Sequence, residues 1–444
     1  MTLTSSASTA RMRAPRDRVR GDRLLADLAE LARIGATPEG GVTRPAFSAV
    51  DREAVSWLRH RCLAVGLCSE VDPAGNLLVR RPSDPLDRPA VLLGSHLDTV
   101  PHGGRLDGAY GVLAAVEVLR RLHETGADCP YPPVAVAFAN EEGALFPQPF
   151  WGSRALIGDP APPAEPVDVR GRPLREALRL VGGDLDRIGE ARWEPEMLGA
   201  YLELHIEQGP VLEREGVPIG VVDGIVGRVV LDVRLVGVAG HAGTTPMADR
   251  RDALLAAADV VLMVRDVADR GGCARATVGR LEVVPNGTNV IAGEVHLTVE
   301  LRDLDEKVLD QAAREVQARI EEVAAERAVA PMVRTTVRVA PQLTDPALAA
   351  LVRRCADGLG LAYRTIASGA GHDAQILARR APTAMIFVPS RDGLSHHPAE
   401  DTADEDLVAG ADLLLATVIA IEAGADGYRP SRRDGDGGEP CSRP

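Results

Sequence analysis

Two short apolar runs, VLL at 91–93 and VAVAF at 134–138, flank a stretch with helical spacing, 112–122, that stops at Gly126, and each run empties into polar residues. Runs that are apolar throughout are buried on both faces. Alternating them with helices predicts an α/β fold in which a mostly parallel sheet is flanked by helices. In an open sheet of that kind ligands bind beyond the carboxyl ends of the strands. His96, in GSHLDTV, and Glu141 with Glu142, in NEEG, stand at those ends.

A chain of 444 residues exceeds what one core fills, roughly 250–300 residues, so two domains are expected. After Gly216 the pattern changes to strands at 226–238 and 297–301 and helices at 250–268 and 307–325, with Asp249 as a candidate N-cap. Buried strand returns at 384–388, followed by a closing helix near 406–421. The expected organisation is a tail at 1–22, a discontinuous larger domain at 23–218 and 339–423, an inserted α+β domain at 219–338, and a disordered tail at 424–444. DPAPPAEP at 159–166 reads as an exposed, proline-stiffened connection. Arg11, Arg13, Arg16, Arg18 and Arg20 precede any apolar stretch, so the start reads as a mobile polar tail and not as a secretory signal.

Formal net charge is -14, which repels nucleic acid and anionic lipid, and no apolar run approaches the roughly 20 residues of a membrane helix. A small-molecule partner is expected in place of nucleic acid or membrane. Six cysteines without a C-x-x-C pair read as reduced thiols of a cytoplasmic protein, none of them a nucleophile.

Five separated segments end in residues that can ligate metal: His96, Asp107 in RLDGAYG, Glu142, His205 in ELHIEQG and His396 in GLSHHP. Imidazoles and carboxylates suit borderline divalent ions, and five such groups suit a pair of ions better than one. Asp98, two residues past His96, projects from the same side, so its carboxylate is expected to accept a hydrogen bond from that imidazole or to order the site. Asp107 sits among glycines that let the backbone approach a ligand, although a turn or N-cap aspartate explains it equally. Glu141 and Glu142, adjacent after a strand, are not expected to face one direction, which leaves one for metal and one for proton transfer. Glu203, His205 and Glu207 alternate onto one strand face, which is either a site or a wet sheet surface. His396 and His397 are not distinguished by the sequence. His241 in GHAGTTP and Asn289 in NGTN are ordinary turn residues unless they meet a site, where they could stabilise an oxyanion. Arg302 could grip a carboxylate, or pair with Asp303 or Asp305 on the surface.

Taken together, GSHLDTV, GGRLDGAYGV, NEEG, ELHIEQGPVLE, GHAGTTPM, PNGTNVIAGE, SGAGHDA and GLSHHPAE resemble, in order, the motifs of M20 metallopeptidase-like amidohydrolases of the hydantoinase/carbamoylase branch. That branch includes N-carbamoyl-L-amino acid hydrolases, allantoate amidohydrolases and β-ureidopropionases. The resemblance implies two divalent ions (zinc, manganese, cobalt or nickel) bridged by Asp107, with His96 and His205 completing one and Glu142 and His396 the other. It implies Glu141 as general acid/base and Gln208, His241, Asn289 and Arg302 as substrate-binding residues. It also implies that the insertion serves as lid and dimerisation domain in a homodimer. The expected reaction is hydrolysis of an N-carbamoyl-L-amino acid to amino acid, ammonia and carbon dioxide. Allantoate hydrolysis, N-acyl amino acid or peptide hydrolysis, and a binding protein without catalysis are the alternatives. Trp151, after the glutamate pair, is expected to reshape the pocket.

Overall fold

The computed structural model describes residues 18–85, 87–159 and 166–430. One compact unit holds the described residues up to Asp223 together with Thr344–Ile366 and those from His372 on; a second holds Gly224–Leu343 and Ala367–Gly371. The insertion expected at 219–338 thus starts and ends later in the structure. The reason lies in the strand Ile219–Ile225, which pairs antiparallel with Thr383–Val388 of the large sheet through Val222, Val221 and Gly220.

The larger unit is built on a sheet whose strands run in the order Cys68–Val71, Leu77–Arg80, Pro133–Phe138, Ala90–His96, Leu198–Ile206, Thr383–Val388 and Ile219–Ile225. The four central strands are parallel, as the apolar runs predicted, and every residue of each is buried. Antiparallel strands at both edges were not evident from the alternation. The helix Ala109–Thr125 crosses the centre and is buried along nearly its whole length, ending at Gly126 in the left-handed conformation that glycine adopts without a Cβ penalty. Gly111 is where this helix meets the sheet, since a Cβ there would lie 2.2 Å from the Leu204 carbonyl. Helices Gly21–Leu31, Ala49–Ala64, Pro346–Leu359 and Asp404–Glu422 add to the core, through Leu24, Leu28, Leu58, Leu351, Leu414 and Val418.

Order starts earlier and ends later than the sequence suggested. Val19 is buried, its amide donates to Asp412 at 2.8 Å, and Arg18 and Arg20 pair with Asp412 and Glu124. At the other end Tyr428 packs on the core. Residues 1–17, 160–165 and 431–444, and with them most of both expected tails, the core of the proline-rich connection and Cys441, lie outside the described residues; the other five cysteines are free thiols.

The second unit is an antiparallel sheet in the order Ala330–Val339, Gly227–Val236, Glu294–Asp303 and Arg275–Val284. Its central strands alternate buried and half-exposed residues, so Leu231, Val233, Leu297 and Val299 face the helices Ala253–Asp269 and Glu306–Glu326. The N-cap of the first of these helices is Asp252, whose carboxylate accepts from the amides of Leu254 and Leu255. Asp249, expected in that role, belongs to a short 3-10 turn after Pro246 that delays the helix.

Candidate metal centre

His96 is the last residue of its strand, Glu141 and Glu142 follow the next strand, and His205 is the penultimate residue of a third, so three parallel strands deliver ligands to one edge of the sheet. Asp107 precedes the buried helix, and His396 comes from the loop after Thr383–Val388. These side chains converge. One Asp107 carboxylate oxygen lies 3.5 Å from His96 Nε2 and 3.2 Å from His205 Nε2, and the other lies 3.3 Å from His396 Nε2. Glu142 is 3.3 Å from the same His396 nitrogen, and Glu141 is 3.7 Å from His96 Nε2.

The rings are oriented by the backbone. His96 donates Nδ1–H to the Asp98 carbonyl and His205 donates Nδ1–H to the Ile206 carbonyl, both at 2.9 Å, so Nε2 is the nitrogen that each ring turns to Asp107. The hydrogen bond expected from His96 to the Asp98 carboxylate is not formed. That carboxylate accepts instead from the amides of Glu141 and Glu142, at 3.2 Å each, and so orders the loop that carries them. Asn140, at φ +55°, turns the chain out of the strand, which breaks the period-2 alternation and lets both glutamates reach the cluster. Gly108, at φ +63°, is required where it stands, since a Cβ would lie 2.4 Å from the His96 ring.

The remaining sequence-derived residues divide. His396 is the ligand-like member of its pair, because its Nε2 lies 3.3 Å from both Asp107 and Glu142, whereas His397 accepts from the Ala399 amide. Gln208 donates to Asp107 at 2.7 Å. Glu203 is fully buried and accepts from Ser95 and the Ala374 amide, which excludes a wet sheet face, whereas Glu207 lies past the strand and accepts from the amides of Val211 and Leu212. The Trp151 indole is buried with Phe47, Phe146 and Leu178 and donates to the Ala74 carbonyl. In the second unit, His241 and Asn289 stand on two short loops joined by pairing of His241 with Val290 and by a bond from the Ala242 amide to the Asn289 carbonyl. His241 Nδ1 accepts from the Gly243 amide, which leaves Nε2 as the donor of the neutral ring. Arg302 pairs with Glu300, two residues back on the same strand face, and not with Asp303 or Asp305; it also donates to the Gly369 carbonyl.

Three contributors escaped the sequence reading. His372, in the quoted SGAGHDA, packs edge-on against His205 with ring centroids 4.6 Å apart, and burial followed by the His205 charge holds it well below the usual imidazole range. Ser395 and Glu400, in GLSHHPAE, contact Asp107 and its loop. Their only signal was polar character beside a histidine in a glycine-rich setting.

The electrostatics are those of a cation cage. Burial pushes the Glu141 carboxyl up, His96 opposes it, and Glu142, Asp373 and Asp98 add to it, so it lies well above the ordinary carboxylate range. Asp107, although burial pushes it up, is held well below that range by contacts from His205, His396 and His96. Asp98 is raised to about 6, mainly by burial. Ligand atoms of His96–Asp107–His205, of His96–Glu141–Glu142 and of Asp107–Glu142–His396 each lie within 4.8 Å of one another. This nitrogen and oxygen donor set fits a divalent transition ion, and a carboxylate with imidazoles on both of its oxygens has the form of a bridging ligand.

An α/β sheet that gathers imidazoles and carboxylates around a buried glutamate fits a hydrolase of the metal-dependent class. The chain belongs to peptidase family M20/M25/M40, whose model matches residues 92–420, and within it to the hydantoinase/carbamoylase branch. It is 42% identical over 407 residues to the N-carbamoyl-L-amino acid amidohydrolase of Geobacillus stearothermophilus, covering 91% of this chain and 100% of that one. It is 38% identical over 396 residues to the allantoate amidohydrolase of Escherichia coli K12, covering 88% and 95%. The crystal structure of a hydantoinase/carbamoylase-family amidase from Burkholderia multivorans superposes with a TM-score of 0.86 at 38% identity, covering 91% and 98%. The protein is accordingly a hydrolase of C–N bonds.

Proposed function

We propose that the protein hydrolyses the ureido C–N bond of an N-carbamoyl-L-amino acid, giving the amino acid, ammonia and carbon dioxide. The observation that carries this reading is the convergence of four side chains, His96, His205, His396 and Glu142, around Asp107 beside a buried Glu141. His96 and His205 would hold one divalent ion with Asp107, and Glu142 and His396 a second; zinc, manganese, cobalt and nickel all suit these donors. When bound, the ions supply Lewis acidity that brings the pKa of a coordinated water toward neutrality.

The protein's own groups do the rest. Glu141, held as a base of raised pKa, accepts the water's proton as oxygen attacks the carbamoyl carbon, and delivers it to the nitrogen of the departing amino acid as the C–N bond breaks. The carbamic acid released falls to ammonia and carbon dioxide. Asp98, bonded to the Glu141 and Glu142 amides, keeps the base aimed. His241 Nε2–H and the Asn289 amide would donate to the developing oxyanion, Gln208 would orient the ureido group, and Arg302, already aligned by Glu300, would hold the substrate carboxylate. Chains would pair through the second unit, where Leu255 and Leu262 leave apolar surface exposed. Five free thiols suit a cytoplasmic enzyme. Among the described residues no helix is long and apolar enough to cross a membrane.

The test is turnover of N-carbamoyl-L-amino acids, allantoate and N-acetyl amino acids side by side, read as ammonia for the first two and as free amino acid for the acetyl compounds. Faster turnover of allantoate would reassign the substrate, and cleavage of the acetyl compounds alone would overturn the ureido reading. Glu141→Gln should lower kcat by about a thousandfold, within the range general acid/base catalysis supplies, and leave metal content intact. Retained activity would move the proton transfer to another group.

A further inference from the structure

The five ligands are not held alike. His96 and His205 sit on strands and are 2% and 1% exposed. His396 lies on a loop at φ +53° with its side chain 47% exposed, and its ion-pairing contacts are Asp107 and Glu142. The placement of its loop against the Asp107 loop therefore decides whether that half of the centre exists.

Glu400 makes that connection. One of its carboxylate oxygens accepts from the amides of Leu106 and Asp107, at 2.9 and 3.0 Å, and the other lies 2.9 Å from Ser395 Oγ, the residue before His396. Ser395 Oγ lies 2.9 Å from the Asp107 carboxylate as well. The hydroxyl has one proton and two carboxylate acceptors. When an ion draws on the Asp107 oxygen, Ser395 can turn its proton to Glu400 and lose no hydrogen bond. Glu400 is 3% exposed, and Gly104 is what admits it, since a Cβ there would lie 2.0 Å from its carboxyl carbon. Asp401 repeats the tie outside, pairing with Arg105 on one loop and Arg391 on the other.

We infer that Glu400 is a positioning residue that locks the His396 loop to the Asp107 loop and thereby sets the affinity of the ion held by Asp107, Glu142 and His396, with little effect on the ion held by His96, Asp107 and His205. The inference rests on the two-ion reading above. The hydrogen bonds of the Glu400 carboxylate run to the Leu106 and Asp107 amides and to Ser395, so it acts through the ligands.

The test is manganese binding to metal-free full-length protein, followed by calorimetry and by elemental analysis after dialysis, for wild type, Glu400→Gln and Ser395→Ala. Wild type should bind two ions per chain. Glu400→Gln should keep one at wild-type affinity and weaken the other about 10- to 100-fold, the usual effect of removing a group that orients a ligand, with kcat recovering at high manganese. Ser395→Ala should weaken the same ion to a smaller extent, and it decides the matter if Glu400→Gln does not fold. Two ions bound unchanged in the variants, or both ions weakened alike, would overturn the role of Glu400. A wild-type chain that binds at most one ion would instead overturn the two-ion reading.

Discussion

On the proposed two-ion reading, protons and cations compete for one nitrogen of His396. Contacts with Asp107 and then Glu142 raise this imidazole to about 10, against a burial effect that lowers it. At pH 8 the ring is therefore charged before an ion binds, and binding must expel its proton. The sign follows: affinity should improve as pH rises toward 10, about tenfold per unit for each proton released, and weaken as pH falls. Calorimetric titration of manganese in two buffers of different ionisation enthalpy checks this, because the heat must differ between them; equal heats would mean that His396 binds already neutral. Part of this scale was legible in the sequence, since His96 and Glu142 each follow an apolar run read as a buried strand, whereas the alternation of Glu203, His205 and Glu207 left a wet sheet face open. Their partners were less so. The Asp98 carboxylate binds the amides of Glu141 and Glu142, more than forty positions away, and Glu400 binds the Asp107 amide at a separation of 293 residues. No local pattern encodes such contacts.

Among the elements, the strand ends and glycine turns shape the centre. Gly108 begins the helix Ala109–Thr125 at a backbone angle that L side chains avoid and leaves its Cβ space to the His96 ring. Gly108→Ala should combine backbone strain of about 1–3 kcal/mol with displacement of a ligand. Metal content should drop and kcat/KM should fall by about a hundredfold, the effect of misplacing a reacting group by 1 Å. Elemental analysis with a thermal melt measures both, and a variant with full metal content and normal kinetics would show that the close approach is dispensable. Helix and strand cores matched the apolar periodicity, whereas their ends depended on local chemistry. Asp252 caps the Ala253–Asp269 helix in place of Asp249 because Pro246 opens a short turn first, and the glutamate pair converges because Asn140 leaves the strand geometry.

For the whole molecule, one large discontinuous unit holds the candidate metal centre and is interrupted by a second unit that carries His241, Asn289 and Arg302. The return of buried strand after 383 made the discontinuity readable, while the antiparallel edge strands, which obey no crossover rule, were not. The central claim is that two ions, held by ligands drawn from across the larger unit, make this fold a ureido hydrolase. It is tested most directly by adding manganese stepwise to metal-free full-length protein and measuring ammonia release from an N-carbamoyl-L-amino acid. The rate should stay low through the first equivalent, climb through the second and then level. A full rate at the first equivalent or without metal, or no ammonia after the second, would contradict it.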